Sequence, residues 1–330
     1  MTDINSFFSA NIANIGARLD LATEVHQLLK NNTTRQLVGI HEHVDYYPQA
    51  KVTIIDILDR RGECLMGKKI GSYITIESPG IRENQNLLDQ ISPILAQYLA
   101  PLLPADPDKN ILLIGIGNNH ATPDALGPLV VDTTLATRHI MTYAAQELHD
   151  ELRPFCTLAP GVLGVTGIET AEIIKGVVEH IEPACIIVVD SLAAANIERV
   201  ASTIQITNSG ISPGSGIGNR RLPINSDTMG VPVVAIGVPM VINTDAIIYE
   251  SLEGLQQYWR TQGYGQIPPV DGDAISAVSR TLLHNFQGSL MVTPKDIDQL
   301  VKNIARIIAA GIAQAVHPGV NKENYHLYIN

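Results

Sequence analysis

The sequence predicts an α/β fold: a doubly wound, mostly parallel sheet flanked by helices, with an additional N-terminal subregion. Residues 111–116 and 185–189 are continuous apolar runs, which are typical of strands covered on both faces. Apolar residues make up 45% of the 330 residues and aromatic residues only 5%, so we expect an aliphatic core. Helical patterns alternate with these strands, and this alternation implies right-handed crossovers between parallel strands.

The N-terminal subregion is mixed in character. The pattern predicts a helix over residues 21–29, strands over 52–58 and 73–77 around a turn at Arg61-Gly62, and a helix over 84–99. Three prolines then interrupt the pattern as a linker would, at positions 101, 104 and 107.

Strand–helix alternation begins after this break with the apolar run at 111–116. Thr122-Pro123-Asp124 has the form of an N-cap, a proline at the first helical position and an acid in the first turn. We expect the helix that follows to reach about residue 141. A capping box at residues 166–169 opens the next helix, which ends at Pro183.

The C-terminal part completes a single domain. Strands are predicted at 203–207 and 233–238, separated by a glycine-rich loop at 213–219. Residues 293–296 open a long amphipathic helix, whose apolar face is formed by Ile297, Val301, Ile304 and Ile308.

Charge, cysteine content and the N-terminal residues indicate the compartment in which the protein works and the partners that it can bind. A net charge of −11 argues against direct binding to nucleic acid or to an anionic membrane. Three cysteines without a CxxC pair favour a reducing compartment. No basic residue precedes Arg18, so the N-terminus lacks the positive start of a secretory signal. The longest uncharged stretch, near residues 231–243, is broken by prolines and a glycine and predicts a buried strand. We therefore expect a soluble, cytoplasmic protein.

Two acids, Asp124 and Asp190, each follow the carboxyl end of a predicted central strand. Ligands of open α/β sheets bind at that edge, so the two carboxylates would face one crevice if the strands are neighbours. Two close carboxylates cannot both ionise freely, which provides a general acid beside a general base that can activate water. A structural role remains open, because an acid in the first turn of a helix is favoured by ~0.3–1 kcal/mol.

Other chemistries find little support in the sequence. Gly115-Ile116-Gly117 lacks the third glycine of a dinucleotide fingerprint, since His120 stands in its place. The glycines near 214–218 lack the Gly-Lys-Ser/Thr of a phosphate-binding loop, and there is no HExxH or paired-cysteine metal motif. Cys156 and Cys185 lie in apolar or strand contexts and are interpreted as core thiols. We expect neither a cofactor nor a metal.

Several long motifs closely resemble those of the spore germination protease family. They lie at residues 115–128 (GIGNNHATPDALGP), 160–170 (PGVLGVTGIET), 188–194 (VVDSLAA), 197–200, 213–219, 291–295 and 317–318. The resemblance implies an atypical aspartic endopeptidase that degrades small acid-soluble spore proteins during germination. It also implies a fold similar to that of hydrogenase maturation peptidases, a homotetramer, and a location in the forespore or spore core. The family's catalytic aspartates fall on Asp124 and Asp190.

The resemblance further implies an inactive zymogen that removes its own N-terminal segment. Residues 18–24, Arg-Leu-Asp-Leu-Ala-Thr-Glu, look like the processing site, with cleavage between Asp20 and Leu21. Residues 1–20 would then be a propeptide and residues 21–330 a single peptidase domain.

Two alternative functions remain open at this point. One is a maturation peptidase for another protein, which would recognise its target through a bound metal. The other is a ligand-binding or regulatory protein in which both aspartates act as binding groups.

Overall fold

The structure is a computed structural model that describes residues 19–32, 37–83, 87–143, 151–213, 221–263, 272–284 and 290–329. Residues 1–18 of the expected propeptide and residues 214–219 of the expected glycine-rich loop lie outside the described residues.

One nine-stranded sheet organises the described part of the chain, in the order β1-β2-β3-β7-β8-β6-β4-β5, with β9 paired to β8. The strands are β1 (Ile40–Tyr47), β2 (Ala50–Ile57), β3 (Gly71–Glu77), β4 (Ile111–Gly115), β5 (Phe155–Leu158), β6 (Cys185–Ala194), β7 (Thr203–Thr207), β8 (Val233–Asn243) and β9 (Met291–Val292).

The sheet has a parallel half and an antiparallel half. Strands β5, β4, β6 and β8 run parallel, as the apolar runs predict. Strand β7 runs antiparallel to β8 and to β3, and β1–β3 continue the antiparallel half as the added N-terminal subregion. Only residues 195–202 connect β6 to β7, which is too short for the crossover that a parallel partner needs.

Helices cover both faces of the sheet, which confirms the predicted α/β class. They are α1 (Ala22–Asn32), α2 (Arg60–Met66), α3 (Gly80–Glu83), α4 (Leu88–Leu99), α5 (Leu126–Thr133), α6 (Arg138–Tyr143), α7 (Leu163–Thr166), α8 (Thr170–Ile181), α9 (Ser226–Met229), α10 (Thr244–Thr261), α11 (Gly272–Leu283) and α12 (Ile297–Val316).

One face of the sheet carries the main core, formed with α4, α5 and α12. The predicted apolar face of α12 is buried there, including Ile304 and Ile308. On the opposite face, α8 and α9 cover the parallel half, while α1 and α2 cover the antiparallel half. The two smaller cores leave a gap between them, where buried polar side chains lie on the strands: Thr75, Asp190 and Gln205.

Three local predictions differ from the structure. The predicted turn at Arg61-Gly62 is the first turn of α2, because the Asp59 side chain accepts hydrogen bonds from both backbone amides. The capping box at residues 166–169 does not form, since the Glu169 side chain makes no capping hydrogen bond and α8 begins at Thr170. The helix expected after Thr122-Pro123-Asp124, reaching about residue 141, is split into α5 and α6.

Candidate active site

Asp190 lies at the carboxyl edge of the parallel half. Pairing between β4 and β6 ends at Val189, and the next residue of β6 is paired on its other side with Gly237 of β8. The Asp190 side chain is 5% exposed, and its Oδ1 accepts a hydrogen bond of 2.8 Å from the backbone N–H of Ser191. The carboxylate is therefore buried at the edge where the sequence places it.

Asp124 reaches the same edge from the loop that follows β4. It ends a 3₁₀ turn at Thr122–Asp124, and its Oδ2 accepts a 2.8 Å hydrogen bond from the backbone N–H of Asn118. The loop passes so close to this turn that a Cβ atom on Gly117 would lie 1.9 Å from the Asp124 carbonyl oxygen. Gly117 also has a φ of 131°, a conformation that favours glycine, so the close approach of the loop requires this residue.

Thr122 does not act as the expected N-cap. Ala121 precedes the 3₁₀ turn without a side-chain capping bond, and Ala125 precedes α5 without one. The Asp124 carboxylate binds the loop amide of Asn118 rather than the first amides of a helix. A helix-capping role for Asp124 is therefore not what the structure shows.

The pKa values of both carboxyl groups are raised, and the charge of Asp124 contributes to the shift of Asp190. Burial raises the pKa of Asp190 well above its usual value, and the charge of Asp124 raises it further, whereas the hydrogen bond from the Ser191 amide lowers it. Burial also raises the pKa of Asp124, which the Asn118 amide and the Arg221 charge partly offset. The structure thus places both acids at one edge of the sheet, close enough for the charge of Asp124 to act on Asp190.

The chain segment at residues 19–24 lies against this site. The Asp20 carboxylate accepts a 3.1 Å hydrogen bond from the backbone N–H of Ala193, and the Glu24 carboxylate accepts one of 3.1 Å from Ala195. Asp20 is close enough to Asp190 for its charge to raise the pKa of Asp190. Two acids of the segment therefore bind backbone donors beyond the point where β4 stops pairing.

A buried ion pair anchors the start of α1. Arg199 Nη1 lies 3.4 Å from Glu24 Oε1, and its Nε lies 3.3 Å from Glu77 Oε1. Arg199 Nη2 donates a 2.8 Å hydrogen bond to Gln27. Burial raises the pKa of Glu24 to about 7, although the Arg199 charge and the Ala195 amide favour the ionised form.

The peptide bond between Asp20 and Leu21 is held on both sides. Lys68 Nζ donates hydrogen bonds to the carbonyl oxygens of Leu19 at 3.1 Å and Asp20 at 2.7 Å. Gln205 Oε1 accepts a 2.7 Å hydrogen bond from the backbone N–H of Ala22. The Leu21 side chain is fully buried. The predicted processing site is therefore docked in the cleft.

Sequence reasoning missed three polar residues of this cleft: Lys68, Arg199 and Gln205. Only Gln205 leaves a signal, because the alternation Thr-Ile-Gln-Ile-Thr of β7 places its polar residues on one face of the sheet.

A cavity of about 630 Å³ lies beside the docked segment. Asp20, Lys68, Gln205 and Gly237 line one part of it, and the loop around Ser212 lines another. This volume is within the range of ligand-binding clefts, so the cavity could hold further residues of a bound peptide next to the Asp20–Leu21 bond.

Metal and thiol chemistry can be assessed across the described ranges. Within those ranges, no group of three or more His, Cys, Asp or Glu side chains is arranged to hold a metal ion. Cys156 and Cys185 are free thiols, and burial raises the pKa of both, that of Cys185 to about 11. These two cysteines are therefore held as protonated core thiols. No helix in the described part of the chain is long and apolar enough to cross a membrane.

A family model described as "Germination protease" matches residues 16–266 and 265–329. The chain belongs to the germination protease family. The germination protease of Caldanaerobacter subterraneus subsp. tengcongensis is 42% identical over 316 residues, covering 94% of this chain and 97% of that protein. Those of Clostridium tetani and Bacillus subtilis are 40% and 33% identical, covering 96% and 94% of this chain and 100% and 96% of their own lengths.

Family membership makes the protein a peptidase of spore germination, which settles the broad reaction class that the motifs predict. Among solved structures, a nickel–iron hydrogenase maturation protease, HycI, from Thermococcus kodakarensis KOD1 matches 65% of this chain and 98% of its own, with 15% identity and a TM-score of 0.30.

Proposed function

We propose that this germination protease is an aspartic endopeptidase that hydrolyses small acid-soluble spore proteins with water activated between Asp124 and Asp190. One observation carries the proposal: the buried Asp190 and the half-buried Asp124 lie at the carboxyl edge of the neighbouring parallel strands β4 and β6, and the charge of Asp124 raises the pKa of Asp190. Such a pair works without a metal or a covalent intermediate, because one member holds a proton while the other accepts one.

The surroundings of the two acids favour distinct roles. Asp190 is the more deeply buried and therefore retains the shared proton, whereas the Asn118 amide and the Arg221 charge favour the ionised form of Asp124. Asp124 accepts a proton from the attacking water as its oxygen bonds to the peptide carbonyl carbon. When the carbon–nitrogen bond breaks, Asp190 gives its proton to the leaving nitrogen.

The proposal includes synthesis as a zymogen, with residues 1–20 as the propeptide and residues 21–330 as the peptidase domain. The docked Asp20–Leu21 bond supports it, because the cleft binds the carbonyl oxygen and the side chain of Asp20, and the charge of Asp20 raises the pKa of Asp190. The cleft also offers donors to acidic side chains near the bond, through Ala193 for Asp20 and through Ala195 and Arg199 for Glu24. A substrate with acids before and after its scissile bond would bind the same donors.

We also propose that the protein assembles as a homotetramer and acts in the forespore or spore core. Support for these two features comes from the motif resemblance and from family membership.

Substitution of each acid by its amide tests the mechanism. We expect Asp124→Asn and Asp190→Asn to abolish cleavage of a purified small acid-soluble spore protein, since an amide keeps the shape but cannot cycle a proton. The exposed Asp227 provides a matched control, and Asp227→Asn should cleave like the unmodified chain. N-terminal sequencing of the same samples should find a new terminus at Leu21 in the active proteins only. Near-normal turnover in a folded Asp190→Asn protein would contradict the proposed pair.

A further inference from the structure

The carbonyl oxygen of Asp20 is bound by an ammonium group inside the cleft. Lys68 follows α2, whose C-cap Gly67 has a φ of 61° and ends the helix. From this turn, Lys68 Nζ contacts two successive carbonyl oxygens, and the shorter contact, 2.7 Å, is to Asp20. This oxygen belongs to the peptide bond that the proposed self-processing reaction would cut.

Gln205 supports the same peptide group from the sheet. Its Nε2 lies 3.5 Å from the Asp20 carbonyl oxygen, and its Oε1 accepts the N–H of Ala22 on the other side of Leu21. In the sheet, Gln205 pairs with Gly237, which in turn pairs with Asp190. Gln205 and the buried Asp190 therefore stand in one row on one face of the sheet, two strand spacings or about 10 Å apart between their Cα atoms.

The partly buried position of Lys68 strengthens the electrostatic effect of its ammonium group on the Asp20 carbonyl oxygen. Burial lowers the pKa of the Lys68 ammonium, while the charges of Asp20 and Glu24 oppose that shift. A fixed charge in a site of low dielectric acts more strongly on a developing negative charge than the same group does in water. A solvated surface lysine would lack this advantage.

We propose that Lys68, assisted by Gln205, is a further catalytic residue, which stabilises the oxyanion formed on the Asp20 carbonyl during self-processing. The inference rests on the function proposed above. Water bonds through its oxygen to the carbonyl carbon and gives a proton to Asp124, while the carbonyl electron pair moves onto the oxygen beside Lys68. Collapse of this intermediate breaks the bond to Leu21, whose nitrogen takes the proton of Asp190.

Self-cleavage of the full-length chain provides the test. We expect Lys68→Met to slow release of the N-terminal fragment by about 10²–10³-fold, the usual effect of removing one oxyanion donor. Lys68→Arg keeps the charge and should recover part of the rate. Lys69→Met is the matched control, because the exposed Lys69 side chain pairs with Glu63 at 3.5 Å on the surface. It should cleave at the unmodified rate. Mass spectrometry over time gives all four rates.

A second measurement separates catalysis from simple anchoring of the segment. Amide hydrogen exchange of residues 21–32 is compared between Asp190→Asn and the double variant Asp190→Asn with Lys68→Met, neither of which should cleave. Equal protection in both, together with slow cleavage by the Lys68→Met single variant, supports a role in the chemistry. Loss of protection in the double variant would make Lys68 an anchor and overturn the inference.

The two proposals fail in different ways. Unmodified or faster cleavage by Lys68→Met, with Asp190→Asn inactive, overturns the role of Lys68 and leaves the acid pair intact. Cleavage between Asp20 and Leu21 by a folded Asp190→Asn chain overturns the acid pair itself, and with it the oxyanion role built on that reaction.

Discussion

Glu24 should make the stability of this protein fall as pH rises, and Glu24→Gln should remove most of that dependence. The side chain is 4% exposed at the first turn of α1, and burial raises its pKa from 4.5 to about 7. The folded protein therefore binds a proton at Glu24 that the unfolded chain releases at a lower pH. Stability from this group is fully present below pH 4.5 and is lost as pH rises through about 7.

The size of the effect follows from the shift. A change from 4.5 to about 7 corresponds to about 3 kcal/mol of unfolding free energy, at 1.36 kcal/mol for each pKa unit. Glu24→Gln cannot ionise, so it should be more stable than the unmodified chain at pH 8. The gain will be smaller than about 3 kcal/mol, because the substitution also removes the charge that faces Arg199.

Urea denaturation at closely spaced pH values between 4 and 8 measures the difference. The midpoints of the unmodified chain and of Glu24→Gln should move apart as pH rises towards 8. Glu63→Gln is a control, since Glu63 is an ion-pair partner of the exposed Lys69. Parallel curves for Glu24→Gln and the unmodified chain would refute the assignment of this dependence to Glu24.

Two further predictions concern the site and its chemistry. Gly117→Ala should lose proteolysis and about 1–3 kcal/mol of stability, because the new Cβ atom would meet the Asp124 carbonyl oxygen and the φ of 131° is strained for alanine. Proteolysis assays and thermal unfolding measure the two effects. A variant that is active and as stable as the unmodified chain would contradict this prediction. Strong chelators and thiol reagents should leave proteolysis unchanged, since the proposed acid pair needs neither a metal nor a thiolate; loss of activity on chelation, restored by zinc, would favour a metallopeptidase.

The position of both acids could be predicted from sequence because each depends on a local pattern. An apolar run marks a central strand, and an acid after such a run lies at the carboxyl edge of the sheet. The same periodicity predicts β7 at residues 203–207 and the buried face of α12. These features need no knowledge of distant contacts.

Other elements escaped prediction because packing determines them. Strand β1, Ile-His-Glu-His-Val-Asp-Tyr-Tyr, has few apolar residues and forms by pairing along its whole length with β2. Helices α10 and α11 were not anticipated either, although they contact each other. A strand of this composition is stabilised by its neighbour more than by its own propensity.

The polar residues of the cleft could not be predicted from sequence either, because their partners are distant in the chain. Lys68 and Gln205 act on backbone groups of residue 20, which are 48 and 185 positions away in the chain. A hydrogen bond to a carbonyl oxygen leaves no mark on the sequence of the residue that accepts it. Only the folded arrangement shows that these side chains surround the Asp20–Leu21 bond.

A surface acid shows why burial decides the chemistry of the cleft. Asp59 accepts hydrogen bonds from two backbone amides and from the Arg61 side chain, and its pKa is lowered, chiefly by Arg61. Asp124 and Asp190 also accept backbone hydrogen bonds, yet the pKa of each is raised. The amides fix where the carboxyl oxygens lie in all three cases, whereas exclusion of water determines whether a proton stays. The sheet edge supplies both conditions, which supports the proposal that the two acids hold a proton without a metal.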